Sequence, residues 1–277
     1  MPELPEVETI TRSLENILPG RKVQEVLVRY SGSLRGNVLD FQTDLCNTQI
    51  DRVWRRGKLI LLDVNKASHL IFHLKMTGRL LYQSEPYLHL DKHTHLVFKL
   101  CNQGVLSFHD TRKFGYCAHL TSRELQRWPY FATLGPEPLT LDEEAFVAIF
   151  QKSKARIKAV LLDQRKIAGI GNIYADEALH VSGIHPATPC SWLAQETLQG
   201  LSFALKNVLL RSIGLGGSTL RDYVDSLGNR GRYQDGFLAY GRKGLPCTKC
   251  STRLESCKVA GRTSVYCPSC QPMLDPE

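Results

Sequence analysis

An α+β chain of more than one domain is the fold class that the sequence predicts, and three features predict it. The first 120 or so residues are broken into short Val-, Leu- and Ile-rich runs separated by Gly, Asn and Asp, the pattern of a sheet-rich sandwich. A stretch with three prolines at 129–139 ends that pattern, and helical periodicity follows it. Two Cys-x2-Cys pairs near the C-terminus then mark a small metal-ligated finger. The expected division is a sandwich domain at 1–128, a linker at 129–139, a helical domain at 140–239 and the finger at 240–273.

Taken in order, a leading helix comes first. Val7, Ile10, Leu14 and Ile17 recur at helical spacing, and Pro19-Gly20 stops the run. Strands are predicted over 22–30, 50–64, 69–74, 95–100 and 104–109. Beyond the linker, Thr140 and Glu143 form a capping box that opens a helix over 141–152. Further helices are predicted over 156–163 and 172–181, the latter entered through Gly169-Ile170-Gly171. Leu193, Leu198, Leu201, Leu205, Val208 and Leu209 mark a long last helix ended by Gly214.

The chain has 277 residues, 43% of them hydrophobic and 22% charged, which is ample for a packed core and excludes a disordered protein. No apolar run approaches the ~18 residues of a membrane-spanning helix, and the N-terminus lacks the basic and apolar regions of a secretory signal. Lys and Arg outnumber Asp and Glu by 35 to 27, for a net charge of +8, so a polyanion is the expected partner. Nine cysteines, five of them between 247 and 270, suit a reducing compartment with a local metal site better than a disulfide scaffold.

Cys247, Cys250, Cys267 and Cys270 have the spacing Cys-x2-Cys-x16-Cys-x2-Cys. Two such knuckles close one tetrahedral thiolate site, and four thiolates favour a single structural zinc ion. A segment this short buries little core, so the metal would supply most of its folding free energy. Lys258, Gly261 and Arg262 lie between the knuckles, where a hairpin would present the cations, and Cys257 is expected to be a free thiol.

The N-terminus carries a second chemistry. Removal of Met1, which a small second residue generally permits, would leave Pro2 as a secondary amine able to attack an aldehyde-like carbon and form an iminium. An α-amine titrates near ~8, far below lysine, and the positive end of the helix dipole lowers it further. Glu3 and Glu6 stand beside it as proton-transfer groups. Taken alone, Pro and Glu at a helix start also fit ordinary N-terminal helix signals.

The segment Pro2-Glu3-Leu4-Pro5-Glu6-Val7-Glu8-Thr9 resembles the N-terminal signature of the formamidopyrimidine-DNA glycosylase family, and Leu4 separates it from the endonuclease VIII branch, which typically has Gly there. HLKMTG at 73–78, DTRKFG at 110–115, GIGNIYA at 169–175 and YGRKGLPC at 240–247 resemble the family's further motifs in the same order, so the likeness covers essentially the whole chain. It implies a β-sandwich, a helix-two-turn-helix module and a zinc finger. It also implies removal of oxidised purines (8-oxoguanine and formamidopyrimidines) from duplex DNA, followed by β,δ-elimination at the abasic site, with no redox or organic cofactor.

Residue by residue, the resemblance makes Pro2 the nucleophile at C1′, Glu3 the proton donor to the opening sugar and Glu6 the keeper of the site's charge and hydrogen bonds. Lys58, read as continuing the strand of Arg52, Arg55 and Arg56, would bridge the lesion phosphate and the reacting base; alone, that run also fits a solvated basic face. Met76, Arg112 and Phe114 match the residues that fill the void left by the flipped base, whereas Met76 and Phe114 by themselves read as core. Arg112 carries only donors and cytosine offers acceptors, so lesions opposite cytosine would be favoured. His73, Asn172, Tyr240 and Arg262 would grip phosphates, and Lys158 would take part in lesion handling. GGSTLRDY at 216–223 resembles the family's loop over the everted purine, and its glycines suit a lid. Lys75 stands where the family has Gly, and Thr111 where it has Pro. No dimer interface is indicated, so a monomer in the cytoplasm, associated with the nucleoid, is expected.

Overall fold

The computed structural model describes residues 2–85, 90–101 and 103–273. They form two compact units. One comprises the chain to Thr133 together with Leu215–Arg232, and the other comprises Leu134–Gly214 together with the chain from Tyr233 onward.

The first unit opens with helix α1 (Leu4–Glu15), followed by β1 (Val23–Val28), β2 (Leu34–Arg35), α2 (Val38–Leu45), β3 (Ile50–Arg56), β4 (Leu59–Val64), β5 (Ser68–His73), β6 (Gly78–Gln83), β7 (Thr94–Leu100), β8 (Val105–Asp110), β9 (Tyr116–Thr121), α3 (Ser122–Arg127) and α4 (Pro129–Ala132). The strands make a four-stranded sheet of order β1-β7-β8-β6 and a five-stranded sheet of order β2-β9-β5-β4-β3, antiparallel except for the short β2-β9 pair. A single apolar core joins both sheets to α1: Val7, Ile10 and Leu14 lie in it with Leu62, Phe72, Phe98 and Phe108. Phe72 meets Phe98 edge-on with ring centroids 5.9 Å apart. Each such side chain contributes roughly 1.5–3 kcal/mol of hydrophobic burial. This is the sandwich with a leading helix that the short, punctuated apolar runs predict.

The run at 50–64 is not one strand. It folds back at Gly57-Lys58 as the hairpin β3-β4, with Arg56 opposite Leu59. Gly57 takes φ +56°, which a tight hairpin turn needs and glycine supplies without penalty. Lys58 therefore sits in a turn and not along a strand. Helix α2 and strands β2, β6 and β9 carry no clear alternation in the sequence. Asn37 starts α2 by accepting hydrogen bonds from the N–H groups of Leu39 and Asp40.

The second unit contains α5 (Glu143–Gln151), α6 (Ile157–Leu162), α7 (Asn172–Val181), α8 (Gln195–Gly214) and the hairpin β10 (Glu255–Val259) and β11 (Arg262–Tyr266). The cap of α5 is Asp142, which accepts from the N–H of Ala145 at 2.7 Å, and not the expected Thr140, whose hydroxyl instead bonds the carbonyl of Glu137. The cationic hairpin turn between the cysteine knuckles is present, with Ala260 and Gly261 both at positive φ.

Residues 215–232, assigned from the sequence to the helical domain, pack with the sandwich. Tyr223 enters its core, the N–H of Tyr82 donates to the carbonyl of Ser226 at 2.8 Å, and the Ser226 and Ser13 hydroxyls meet at 2.6 Å. The segment closes on itself where the N–H of Arg232 donates to the carbonyl of Leu215 at 2.9 Å. A Cβ on Gly231 would lie 2.2 Å from the carbonyl oxygen of Gly217, so residue 231 has to be glycine.

Candidate active site and nucleic-acid interface

Pro2 is buried at the head of α1, and Glu3 is its N-cap. Glu3 and Glu6 form a reciprocal capping box, in which the Glu3 N–H donates to Oε2 of Glu6 at 2.9 Å. The other oxygen of Glu6 accepts from the N–H of Ser218 at 2.7 Å. Both carboxylates are buried, and one oxygen of Glu6 thus faces the chain head while the other faces the 215–232 segment. Tyr223 completes the joint by donating from its hydroxyl to the carbonyl of Gly216 at 3.0 Å. Gly217, at φ +82°, passes so close that a Cβ would lie 3.0 Å from Glu6.

The basic run on β3 is not a uniformly solvated face. Arg55 is nearly buried, and its Nε donates to Glu8 of α1 at 2.7 Å while its Nη1 donates to the carbonyl of Gly57 at 2.9 Å. Glu8 is held below the usual carboxylate range by Arg55 and Arg12, which outweigh its burial. Arg55 thereby ties the β3-β4 turn, and with it the buried Lys58, to the helix that carries Pro2.

Met76, Arg112 and Phe114 come together on the turns after β5 and β8. Met76 is 44% exposed and Phe114 54% exposed, which decides against a core role for either. The Arg112 guanidinium lies 4.9 Å over the Phe114 ring and 2.9 Å from Sδ of Met76. Asp110 organises the cluster from beneath. One of its oxygens accepts from the Thr77 hydroxyl and, at 3.1 Å, from the Arg112 N–H; the other accepts from the Gly115 N–H at 2.6 Å.

His73 ends β5, buried beside Tyr116 and Tyr130. Its Nδ1 accepts from the Lys75 N–H at 3.1 Å, so the neutral ring carries its proton on Nε2, which lies 3.5 Å from the Tyr130 hydroxyl. Burial, and then the charges of Lys75, Lys58 and Arg35, push its pKa down to about 3. It can offer a phosphate a neutral N–H donor but no charge.

In the second unit, Asn172 opens α7 directly after Gly171, and Gly169 takes φ +86° in the loop before it. Nδ2 of Asn172 donates to the carbonyl of Thr263 on β11 at 3.1 Å, and its buried Oδ1 has no hydrogen-bond partner among the described residues. Arg262 stands exposed at the start of the same strand. The N–H of Tyr240, with those of Leu238 and Ala239, converges on the buried carboxylate of Glu177, so α7 also sets the course of the segment bearing Tyr240.

Lys158 departs from its expected role. It is 0% exposed, and Nζ donates to Asp176 at 2.5 Å, to the Ser264 hydroxyl at 2.7 Å and to the Thr263 carbonyl at 3.3 Å. These bonds occupy its donors inside the unit, so it positions β11 beside Arg262 and presents no surface to a nucleic acid. Burial lifts the pKa of Asp176 to about 6 against the pull of Lys158.

The sulfurs of Cys247, Cys250, Cys267 and Cys270 all lie within 4.8 Å of one another. A tetrahedral thiolate site with bonds of ~2.3 Å places sulfurs ~3.8 Å apart, so the donor set and its spacing fit a structural metal ion. Backbone N–H groups of Lys249 and Cys270 each donate to a cysteine sulfur at 3.4 Å. Neutral His180, its pKa pushed down to about 4 by burial and by Lys249 and Arg242, aims Nε2 at Sγ of Cys247 from 3.5 Å.

Sequence reasoning gave no role to Arg55, Asp110 and Ser218, which lie in segments it singled out, and missed Glu177 and His180. Asp110 belongs to a recognisable motif; Ser218 acts through its backbone N–H, which no side-chain pattern announces.

The family profile of the formamidopyrimidine-DNA glycosylase N-terminal domain matches residues 1–117, and that of the family's H2TH domain matches residues 134–224. Formamidopyrimidine-DNA glycosylase of Desulforamulus reducens is 43% identical over 98% of this chain and 99% of its own length; that of Desulfitobacterium hafniense is 42% identical over 98% and 100%. Crystal structures of the Lactococcus lactis enzyme superpose with a TM-score of 0.90: a variant bound to DNA containing Fapy-dG (34% identity, 98% of this chain and 100% of that one) and a complex with abasic-site DNA (35%, 98% and 99%).

The chain belongs to the formamidopyrimidine-DNA glycosylase family. It is a base-excision-repair DNA glycosylase and AP lyase, and DNA is its partner. No helix among the described residues is long and apolar enough to cross a membrane.

The depressed pKa of His73 has a consequence for stability. An unfolded imidazole protonates near 6.5 and folded His73 near 3, so the unfolded state binds more protons between those values. Stability should fall as pH drops from 6.5 toward 3. Urea midpoints measured across that range should show a flatter acid limb for His73→Gln than for the wild type; identical slopes would contradict the assignment.

Proposed function

We propose that this chain excises 8-oxoguanine and formamidopyrimidines from duplex DNA with Pro2 as nucleophile. The observation that carries the reading is the head of α1, where Glu6 accepts one hydrogen bond from Glu3 and another from Ser218 beside buried Pro2. The lesions bound in the Lactococcus lactis complexes, Fapy-dG and an abasic site, support the substrate class.

With Met1 removed, the Pro2 nitrogen attacks C1′ as the bond to the damaged base breaks. Glu3 protonates the sugar ring oxygen, the ring opens, and an iminium links Pro2 to C1′. The iminium acidifies the C2′ proton, whose removal expels the 3′ phosphate; a second elimination expels the 5′ phosphate and leaves a one-nucleotide gap. Glu6 holds the backbone around the reacting atoms. Lys58 and the neutral N–H of His73 bind phosphate near the lesion, while Asn172, Tyr240 and Arg262 grip flanking phosphates from the second unit. Domain roles follow: chemistry on the sandwich with its 215–232 segment, and backbone binding on the helical module and finger.

Base eversion leaves a hole in the stack that costs a few kcal/mol to hold open. Met76 and Phe114 fill it, and Arg112 donates to O2 and N3 of the opposite cytosine. Adenine places an amino donor there and repels the guanidinium. Zinc is the metal of the finger, because four thiolates select it in a structural role. The enzyme works as a monomer in the cytoplasm, at the nucleoid, where the environment keeps its thiols reduced.

Three outcomes check this reading. Borohydride reduction during reaction of the untagged protein with an 8-oxoguanine·C duplex should trap a covalent adduct that mass spectrometry maps to Pro2; an adduct elsewhere, or none with Met1 absent, would refute the nucleophile. Arg112→Ala should reduce the kcat/KM preference for cytosine over adenine opposite the lesion by about tenfold, the effect of ~1.4 kcal/mol; an unchanged ratio would contradict the readout. Cys247→Ser should lose zinc by elemental analysis together with DNA affinity, and full zinc with normal binding would dispose of the structural role.

A further inference from the structure

Lys75 sits in the turn between His73 and Met76 at φ +51°, a left-handed conformation that glycine adopts freely and lysine only under strain. Its ammonium lies 5.8 Å from the centre of the Tyr116 ring. The Arg35 guanidinium lies 3.5 Å over the same ring and 6.0 Å from Trp128. Two cations therefore share one aromatic platform. Among the described residues, neither has a carboxylate within ion-pair distance. Partial burial and the charge of Arg35 lower the Lys75 pKa, so the pair repels itself without a counter-charge. Lys75, Lys58 and Arg35 all bear electrostatically on the neutral ring of His73. Strain and repulsion held together at one place need a compensating partner, and every group present lacks the negative charge that would supply it.

We propose that Lys75, backed by Arg35 on the Tyr116 ring, binds a DNA phosphate at the foot of the Met76 turn, a contact additional to those assigned above. The inference rests on the DNA-glycosylase reading. The aromatic platform restrains the two long side chains beforehand, so less rotamer entropy is lost when the phosphate arrives. The contact reads backbone and not sequence, so it strengthens binding to damaged and undamaged duplexes alike.

The test is the salt dependence of binding to an undamaged duplex and to one carrying a tetrahydrofuran abasic analogue. A phosphate contact contributes about 0.9 to the slope of log K against log salt concentration. Lys75→Gly should make the slope shallower by about one for both duplexes and weaken binding several-fold at low salt. The same variant should melt a few degrees higher, because glycine relieves the left-handed strain. Lys75→Met, which keeps the strain and loses the charge, should lose the same slope without the gain in melting temperature, and Lys75→Arg should retain the slope. An unchanged slope in Lys75→Gly and Lys75→Met, with wild-type binding intact, would overturn the proposal while leaving the glycosylase reading in place. Wild-type protein that binds neither duplex would overturn both.

Discussion

The carboxylate of Glu6 is the constraint on which the chemical half of the molecule depends. It is buried, and a buried carboxylate must be hydrogen-bonded or it costs several kcal/mol. Its two oxygens find the N–H of Glu3 on one side and the N–H of Ser218 on the other. Those donors lie 215 residues apart in the chain. One side chain thus holds the Pro2 end of α1 and draws the 215–232 segment onto the sandwich. Gly231 passes too close to the Gly217 backbone for any side chain, and Gly217 lies tight against Glu6 at φ +82°, so the segment's glycines serve close approach as well as conformational freedom.

The second unit uses the same device twice on one helix. Asp176 and Glu177 are adjacent on α7 and both buried. Asp176 takes the Lys158 ammonium and the Val265 N–H, which docks β11; Glu177 takes three successive N–H groups at 238–240. Asn172, at the start of the same helix, reaches the Thr263 carbonyl. Asn172, Arg262 and Tyr240 therefore all take their positions from α7. A single rigid element registers the groups proposed to grip DNA, and breaking a buried partner such as Lys158 would leave an uncompensated charge costing about 3–5 kcal/mol.

Exposure is the opposite signal, and it separates Met76, Arg112 and Phe114 from the core. The molecule leaves Met76, Phe114 and Arg112 on its surface, with Arg112 in contact with both of the others, while Asp110 beneath them is fully buried and hydrogen-bonded through both oxygens. Apolar groups kept in water are a cost to the free protein that a stacked duplex would offset. The cations of Lys75 and Arg35 beside them carry the same logic in electrostatic form.

Much of this protein was legible in its amino-acid order. Local periodicity marked α1 and α8, because a buried helical face repeats every three to four residues whatever it packs against. The cysteine spacing marked the finger, because knuckle geometry is itself local. The motifs around Pro2, Met76 and Arg112 pointed to the family that the comparisons show. Tertiary structure alone decided the rest. The turn at Gly57-Lys58 is marked in the sequence by one glycine inside an otherwise strand-forming run, and pairing of β3 with β4 and of β4 with β5 reveals the hairpin. Residues 215–232 follow a helix in sequence, yet the Ser218 N–H is satisfied by Glu6 and Tyr223 lies in the sandwich core. Lys158 is indistinguishable from a DNA-binding lysine in sequence, because burial and the presence of Asp176 are properties of the packed chain and not of the residue.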